Sequence, residues 1–286
     1  MGLPMARNLI DGGYPVTVFD LDEGLMGKAE QLGASPSISA SETASKSDII
    51  ITMVPDSPHV EAVITGPSGI IEGIKEGSVV IDMSTIDPET GKKMAELLES
   101  KGVNFIDAPV TGGVGGAEAG TLSILVGGNA EVFERALPVL NVLGGDISHM
   151  GPVGSGHTTK IANQLIGVAT LAGMAEAFVL AKKSGLDMQT FFDAVKNGAG
   201  RSWALETLGP KILAGDFEPG FMVKHMQKDL RLANQLAEDT GTSLPTSTLI
   251  AQLYRSIQAD SPEATSQGHQ ALVQAIEKLS NDQARL

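Results

Sequence analysis

The sequence predicts an α/β chain in two parts: a doubly wound, mostly parallel sheet domain over residues 1–153, then an all-helical domain over residues 154–286. Three observations predict it. The first half alternates short, nearly continuous apolar runs with amphipathic stretches, the pattern of parallel strands covered by helices on both faces. From about Gly154 onward no further β-rich run occurs. Where the halves meet lies an apolar helical stretch of about 28 residues, spanning about 42 Å and so able to join two domains.

Taken in order, "MGLPMARNLI" (1–10) reads as a helix already under way, with Leu3, Met5, Leu9 and Ile10 at helical spacing. "YPVTVFD" (14–20) is a strand that ends at Asp20. "DIIITMVP" (48–55), "SVVIDMST" (78–85), "VNFIDAPV" (103–110), "TLSILVGG" (121–128) and "DISHMG" (146–151) are the remaining strand runs. "PETGKKMAELLESKG" and "NAEVFERALPVLNVLGG" are helices between them. "HTTKIANQLIGVATLAGMAEAFVLAKKSGL" is apolar nearly all round and is expected to be buried within a larger helical assembly. Turn signals at "KSGLD", "GDFEPGF", "DTGTSLP" and "ADSPEA" divide the rest into shorter helices.

Composition narrows the function. A formal charge of −14 argues against nucleic-acid or anionic-membrane partners, which are gripped by Lys and Arg. The absence of cysteine excludes disulfides, thiolate metal sites and cysteine nucleophiles, and with no signal peptide read at the start it suits a cytoplasmic protein. The most apolar stretch, residues 161–175, contains Asn163 and Gln164 and stops at Glu176, too short and too polar to span a bilayer. The five histidines show no metal-ligand spacing, and no metal is expected. His157 and His225 lie in segments that can approach a site, with a surface or capping role equally open.

A dinucleotide fold begins strand, Gly-rich turn, helix, and carries an acidic residue at the end of its second strand to bind the adenosine ribose hydroxyls. Gly2 fits the last glycine of that turn, and Asp20 follows 18 residues later. A carboxylate there also repels a 2′-phosphate, which favours NAD over NADP. On these residues alone, an ordinary helix start and a turn aspartate are the better account of the pattern.

"DAPVTGGVGGAEAGTLSILVGG" (107–128), "GPVGSGHTTKIANQ" (151–164) and "FEPGFMVKHMQKDL" (217–230), with "MVPD" and "DMSTIDP", together resemble the β-hydroxyacid dehydrogenase family. That family includes 3-hydroxyisobutyrate dehydrogenase and 2-hydroxy-3-oxopropionate reductase. The resemblance covers essentially the whole chain in order and implies a Rossmann-type first domain, NAD or NADH as cofactor, and a homodimer or homotetramer. "MG" at positions 1 and 2 matches the end of the family's G-x-G-x-M-G turn. The expectation is therefore that the natural protein begins roughly ten residues earlier, with a central strand ending in Gly-x-Gly.

Reducing an aldehyde with NADH needs a proton donor at the carbonyl oxygen. Lys160 follows a Gly-rich turn and opens a long apolar helix, where burial and a cationic nicotinamide would lower its pKa. From the residues alone it is equally a lysine with a packed stem and a hydrated head; the resemblance implies the catalytic role. Asn163 and Gln164, three and four residues on, share its helix face. They read either as substrate-binding amides or as helix-to-helix hydrogen bonds. Asn-Gln departs from the Asn-Asn frequent in the family, in the manner of its tartronate semialdehyde reductase branch.

"VTGG" (110–113) follows a strand end, where ligands gather in open α/β sheets. The N–H groups of Gly112 and Gly113 can hold a carboxylate and Thr111 can add its hydroxyl, although a plain glycine turn is the alternative. Thr111 replaces the family's usual Ser. Val54, Pro55 and Thr85 end strands and are expected to edge the cofactor crevice. The resemblance implies that Lys228 reaches the cofactor and that Asp229 and Phe221 shape the substrate pocket. From sequence alone these are a solvated charged pair and a core aromatic.

These readings converge on an NAD-dependent oxidoreductase interconverting a small 3-hydroxy acid and its semialdehyde. The substrate carboxylate is expected on Gly112 and Gly113, with the carbonyl oxygen facing Lys160, which supplies the proton as hydride arrives from the nicotinamide. Two alternatives stay open: a reductase of glyoxylate or succinic semialdehyde in the same superfamily, and a dinucleotide-binding module without catalysis.

Overall fold

A computed structural model describes all residues, Met1–Leu286, as two compact units, Met1–Lys160 and Ile161–Leu286. The division falls inside one helix, Ser155–Lys183.

The first unit is Rossmann-like. Its strands are β1 (Thr17–Val18), β2 (Ser35–Pro36), β3 (Ile49–Thr52), β4 (Val79–Asp82), β5 (Asn104–Asp107), β6 (Val110–Thr111), β7 (Leu122–Gly127) and β8 (Gly144–Gly151). β3, β4 and β5 pair in parallel, β5 and β6 each pair antiparallel to β7, and β8 pairs parallel to β7. β1 pairs only with β2, forming a separate two-stranded sheet.

The apolar runs are strands because both faces of the larger sheet are buried. Along β4, Val79 and Ile81 join a core with Ile106, Ile124 and Leu140, while Val80 faces the opposite core with Ile64, Leu98 and Phe105. Helices begin where the sequence supplies side-chain acceptors. Asp22, Asp56, Asp87 and Asn129 each accept N–H groups at the helix starts they precede. The run at residues 103–110 divides into β5 and β6, separated by Ala108 and Pro109; proline has no N–H to continue a ladder.

The second unit is helical. The helix Ser155–Lys183 sends Val168, Leu171 and Phe178 into a core with Leu205, Ile212, Leu230 and Tyr254. Residues 161–175 read as too short and too polar to span a bilayer, but the helix is longer than that stretch, and by length and composition it is apolar enough to cross a membrane, a property that core helices share. It is not buried all round, as its composition predicts. Ala162, Ile166, Ala169, Gly173, Ala177 and Leu180 form a stripe on its outer side, and Ile166 and Leu180 are each 69% exposed.

Candidate functional site

In the first unit, the end of β1 opens into a cleft of about 530 Å³ lined by Phe19, Asp20, Glu23, Glu30, Ser37 and Ile38, among others. No basic residue lines it. Asp20 is exposed at its mouth, and its Oδ1 accepts the Asp22 N–H at 2.9 Å. The cleft has room for an adenosine, and its charged lining residues, Asp20, Glu23 and Glu30, are all acidic. Gly2 opens the first helix, Gly2–Asp11. Val54 and Pro55 follow β3, where the Val54 N–H donates to Ser84 Oγ at 2.9 Å; Thr85 is half-buried beyond β4. These groups fit a dinucleotide.

Thr111 ends β6 half-buried, and Gly112 and Gly113 follow exposed. Both glycines lie in the left-handed region, at φ 123° and 65°, so side chains there would be strained. The helix that follows, Gly113–Ala119, is pinned where Asn8 Nδ2 donates to Ala117 O at 2.7 Å.

Lys160 is buried, with only 7% of its surface exposed. One helical turn before it stands His157, completely buried rather than at the surface. Its Nε2 lies 3.2 Å from Asp82 Oδ2, and its Nδ1 lies 3.7 Å from Asp107 Oδ2. Asp82 also accepts the Thr52 hydroxyl at 2.7 Å and the Ser84 N–H at 3.2 Å. Burial pushes the Asp82 carboxyl up, but the His157, Ser84 and Thr52 hydrogen bonds prevail and hold it below the ordinary range. Asp107 accepts the backbone N–H of Gly154 and of His157, each at 2.8 Å.

Sequence reasoning missed both aspartates. Their signal is a carboxylate closing a β-branched run, twice. In the parallel register Thr52, Asp82 and Asp107 stand side by side, and Gly127 follows on β7.

In the second unit, Gln164 Nε2 donates to Asp229 Oδ2 at 2.6 Å, and Asn163 Nδ2 donates to Gln164 Oε1 at 3.3 Å. Lys228 Nζ lies 2.9 Å from Asp229 Oδ1. The structure thus joins four of the predicted residues in one polar chain. Asp229 is buried and Lys228 nearly so, which sets aside a solvated charged pair. Phe221 is half-buried, with its ring 5.7 Å from the His225 ring and 5.5 Å from that of His269. Burial pushes His269 down to about 4 and lowers His225, so both imidazoles stay neutral near neutral pH. The single tryptophan, Trp203, is largely exposed.

Comparison with known proteins gives five matches. Residues 1–151 match the family model described as the NAD binding domain of 6-phosphogluconate dehydrogenase, and residues 154–276 match that described as NAD-binding of NADP-dependent 3-hydroxyisobutyrate dehydrogenase. The chain is 40% identical over 262 residues to 3-hydroxyisobutyrate dehydrogenase of Pseudomonas aeruginosa, covering 89% of this chain and 88% of the relative. It is 37% identical over 281 residues to 2-hydroxy-3-oxopropionate reductase of Escherichia coli, covering 98% and 95%. Among solved structures, 3-hydroxyisobutyrate dehydrogenase of Mycobacterium tuberculosis with L-serine superposes with a TM-score of 0.87 at 33% identity, covering 96% of this chain and 95% of that one.

Proposed function

The chain belongs to the 3-hydroxyisobutyrate dehydrogenase, or β-hydroxyacid dehydrogenase, family of NAD(P)-dependent oxidoreductases, and from that premise we propose that it reduces a small semialdehyde carboxylate to the 3-hydroxy acid with NADH. The observation that carries this reading is the buried Lys160, the one ammonium placed behind the Gly-rich turn at 151–156. Bound in the crevice, NADH supplies the hydride. Lys160 donates a proton from Nζ to the carbonyl oxygen as that oxygen gains negative charge, so aldehyde, hydride and proton give the alcohol. Thr111, Gly112 and Gly113 orient the substrate carboxylate through N–H and hydroxyl donors. Asn163, Gln164, Asp229 and Phe221 shape the pocket, with Gln164 held by Asp229. Asp20 binds the ribose diol, Gly2 receives the pyrophosphate, and Val54, Pro55, Thr85 and Lys228 bound the cofactor.

The test is a panel of semialdehydes and small 2- and 3-hydroxy acids, followed by NADH absorbance. Turnover of 2-hydroxy-3-oxopropionate or methylmalonate semialdehyde above glyoxylate and succinic semialdehyde is the expected result. NADH binding without turnover of any of them would leave only a binding module.

The exposed stripe on the helix Ser155–Lys183 supports a homo-oligomer, because small residues flanking Ile166 and Leu180 let a second helix approach closely. Ile166→Glu is expected to shift the protein toward monomer in light scattering; an unchanged mass would place the interface elsewhere.

A further inference from the structure

We infer that Asp82, His157 and Asp107 form a buried clamp that fixes the first turn of the helix bearing Lys160, making His157 and Asp107 positioning residues for proton transfer; this rests on the reading of Lys160 above. None of the three needs to touch substrate. Asp107 acts through backbone N–H groups, and His157 acts through its ring on Asp82.

Helix starts are ordinarily capped by the residue just before them. Here the acceptor is remote. Asp107 closes β5 and takes two N–H groups, Gly154 and His157, from the start of the helix Ser155–Lys183. A carboxylate at a helix start is also favoured by the helix dipole. The helix is thereby tied to the end of one sheet strand, and the His157 ring ties it to the next strand through Asp82. Nε2 is within hydrogen-bond distance of Asp82 Oδ2, whereas Nδ1, 3.7 Å from Asp107 Oδ2, is buried without a hydrogen-bond partner. Lys160 stands three positions after His157, so they share a helix face and a shift of one moves the other.

Two glycines keep room for the clamp. A Cβ on Gly91 would stand 2.9 Å from His157 Nδ1, and one on Gly127 2.5 Å from Asp107 Oδ1. Gly91 lies inside the helix Pro88–Glu99, where alanine is ordinarily the better residue. Its presence follows from the imidazole beside it.

The test uses the full chain carrying His157→Gln, Gly91→Ala or both, with three readouts. These are kcat and KM per folded molecule, the NADH dissociation constant from fluorescence, and amide hydrogen exchange over residues 154–160. His157→Gln is expected to lower kcat by about 10²-fold, as displacement of a reacting group does, with KM and NADH affinity within about twofold. Exchange at 157–160 should rise by about tenfold while β7 stays protected. Gly91→Ala should reproduce a smaller loss by pushing the ring, and should add nothing once His157 is Gln. A clamp that serves folding alone would lower the melting temperature, leave kcat per folded molecule intact and let the two effects multiply; that result overturns the proposal. Unchanged exchange at 157–160 in both variants overturns it as well. If the wild-type protein reduces no semialdehyde, the functional reading falls separately, and the exchange data alone decide whether the clamp holds the helix start.

Discussion

Lys160→Ala is expected to lower kcat by at least about 10²-fold, the scale lost with a general acid, while NADH affinity changes little. The reasoning is local. Lys160 is buried on a helix whose first turn is anchored to the sheet, so its ammonium has little freedom to be replaced by a neighbour. Water admitted by the truncation is a poorer acid held in no fixed place. Single-turnover reduction with a saturating semialdehyde isolates the chemical step, and an NADH titration by fluorescence reports binding. Near-normal turnover at neutral pH would sink the assignment.

The parent protein is expected to prefer NADH to NADPH by kcat/KM, and Asp20→Ser or Asp20→Asn, joined to an arginine nearby, is expected to narrow or invert that preference. The cleft beside Asp20 carries Glu23 and Glu30 and no basic residue, so a 2′-phosphate enters an uncompensated negative field. Losing charged hydrogen bonds to the ribose diol costs about 1.5–3 kcal/mol, or about 10- to 100-fold in kcat/KM with NADH. Steady-state kinetics with both dinucleotides checks it. A parent that already prefers NADPH would mean that Asp20 is not at the ribose.

Much of this architecture is legible in the sequence because it is written locally. Val79 through Asp82 form a continuous apolar run ending in a charge, and such a run fits only a strand covered on both faces. Asp87 and Pro88 announce the next helix with a cap and a fixed φ. Lys160, Gln164 and Asp229 carry motif signals of their own, and the structure joins the latter two directly. What escapes is built from register. Asp82 and Asp107 meet only because β4 and β5 align in parallel, and no spacing along the chain records that. The outer stripe of the long helix escapes for a related reason. Apolarity all round says that a surface will be covered, but does not say whether this chain covers it.

The Asp107 carboxylate accepts N–H groups that lie 47 and 50 residues further along the chain, and this has a consequence for the order of folding. Such a bond closes a long loop, whose entropy is spent before the contact returns anything. The start of the helix Ser155–Lys183 is therefore fixed only once β5 has taken its place in the sheet, so the helix that carries Lys160 is set late, by structure assembled before it.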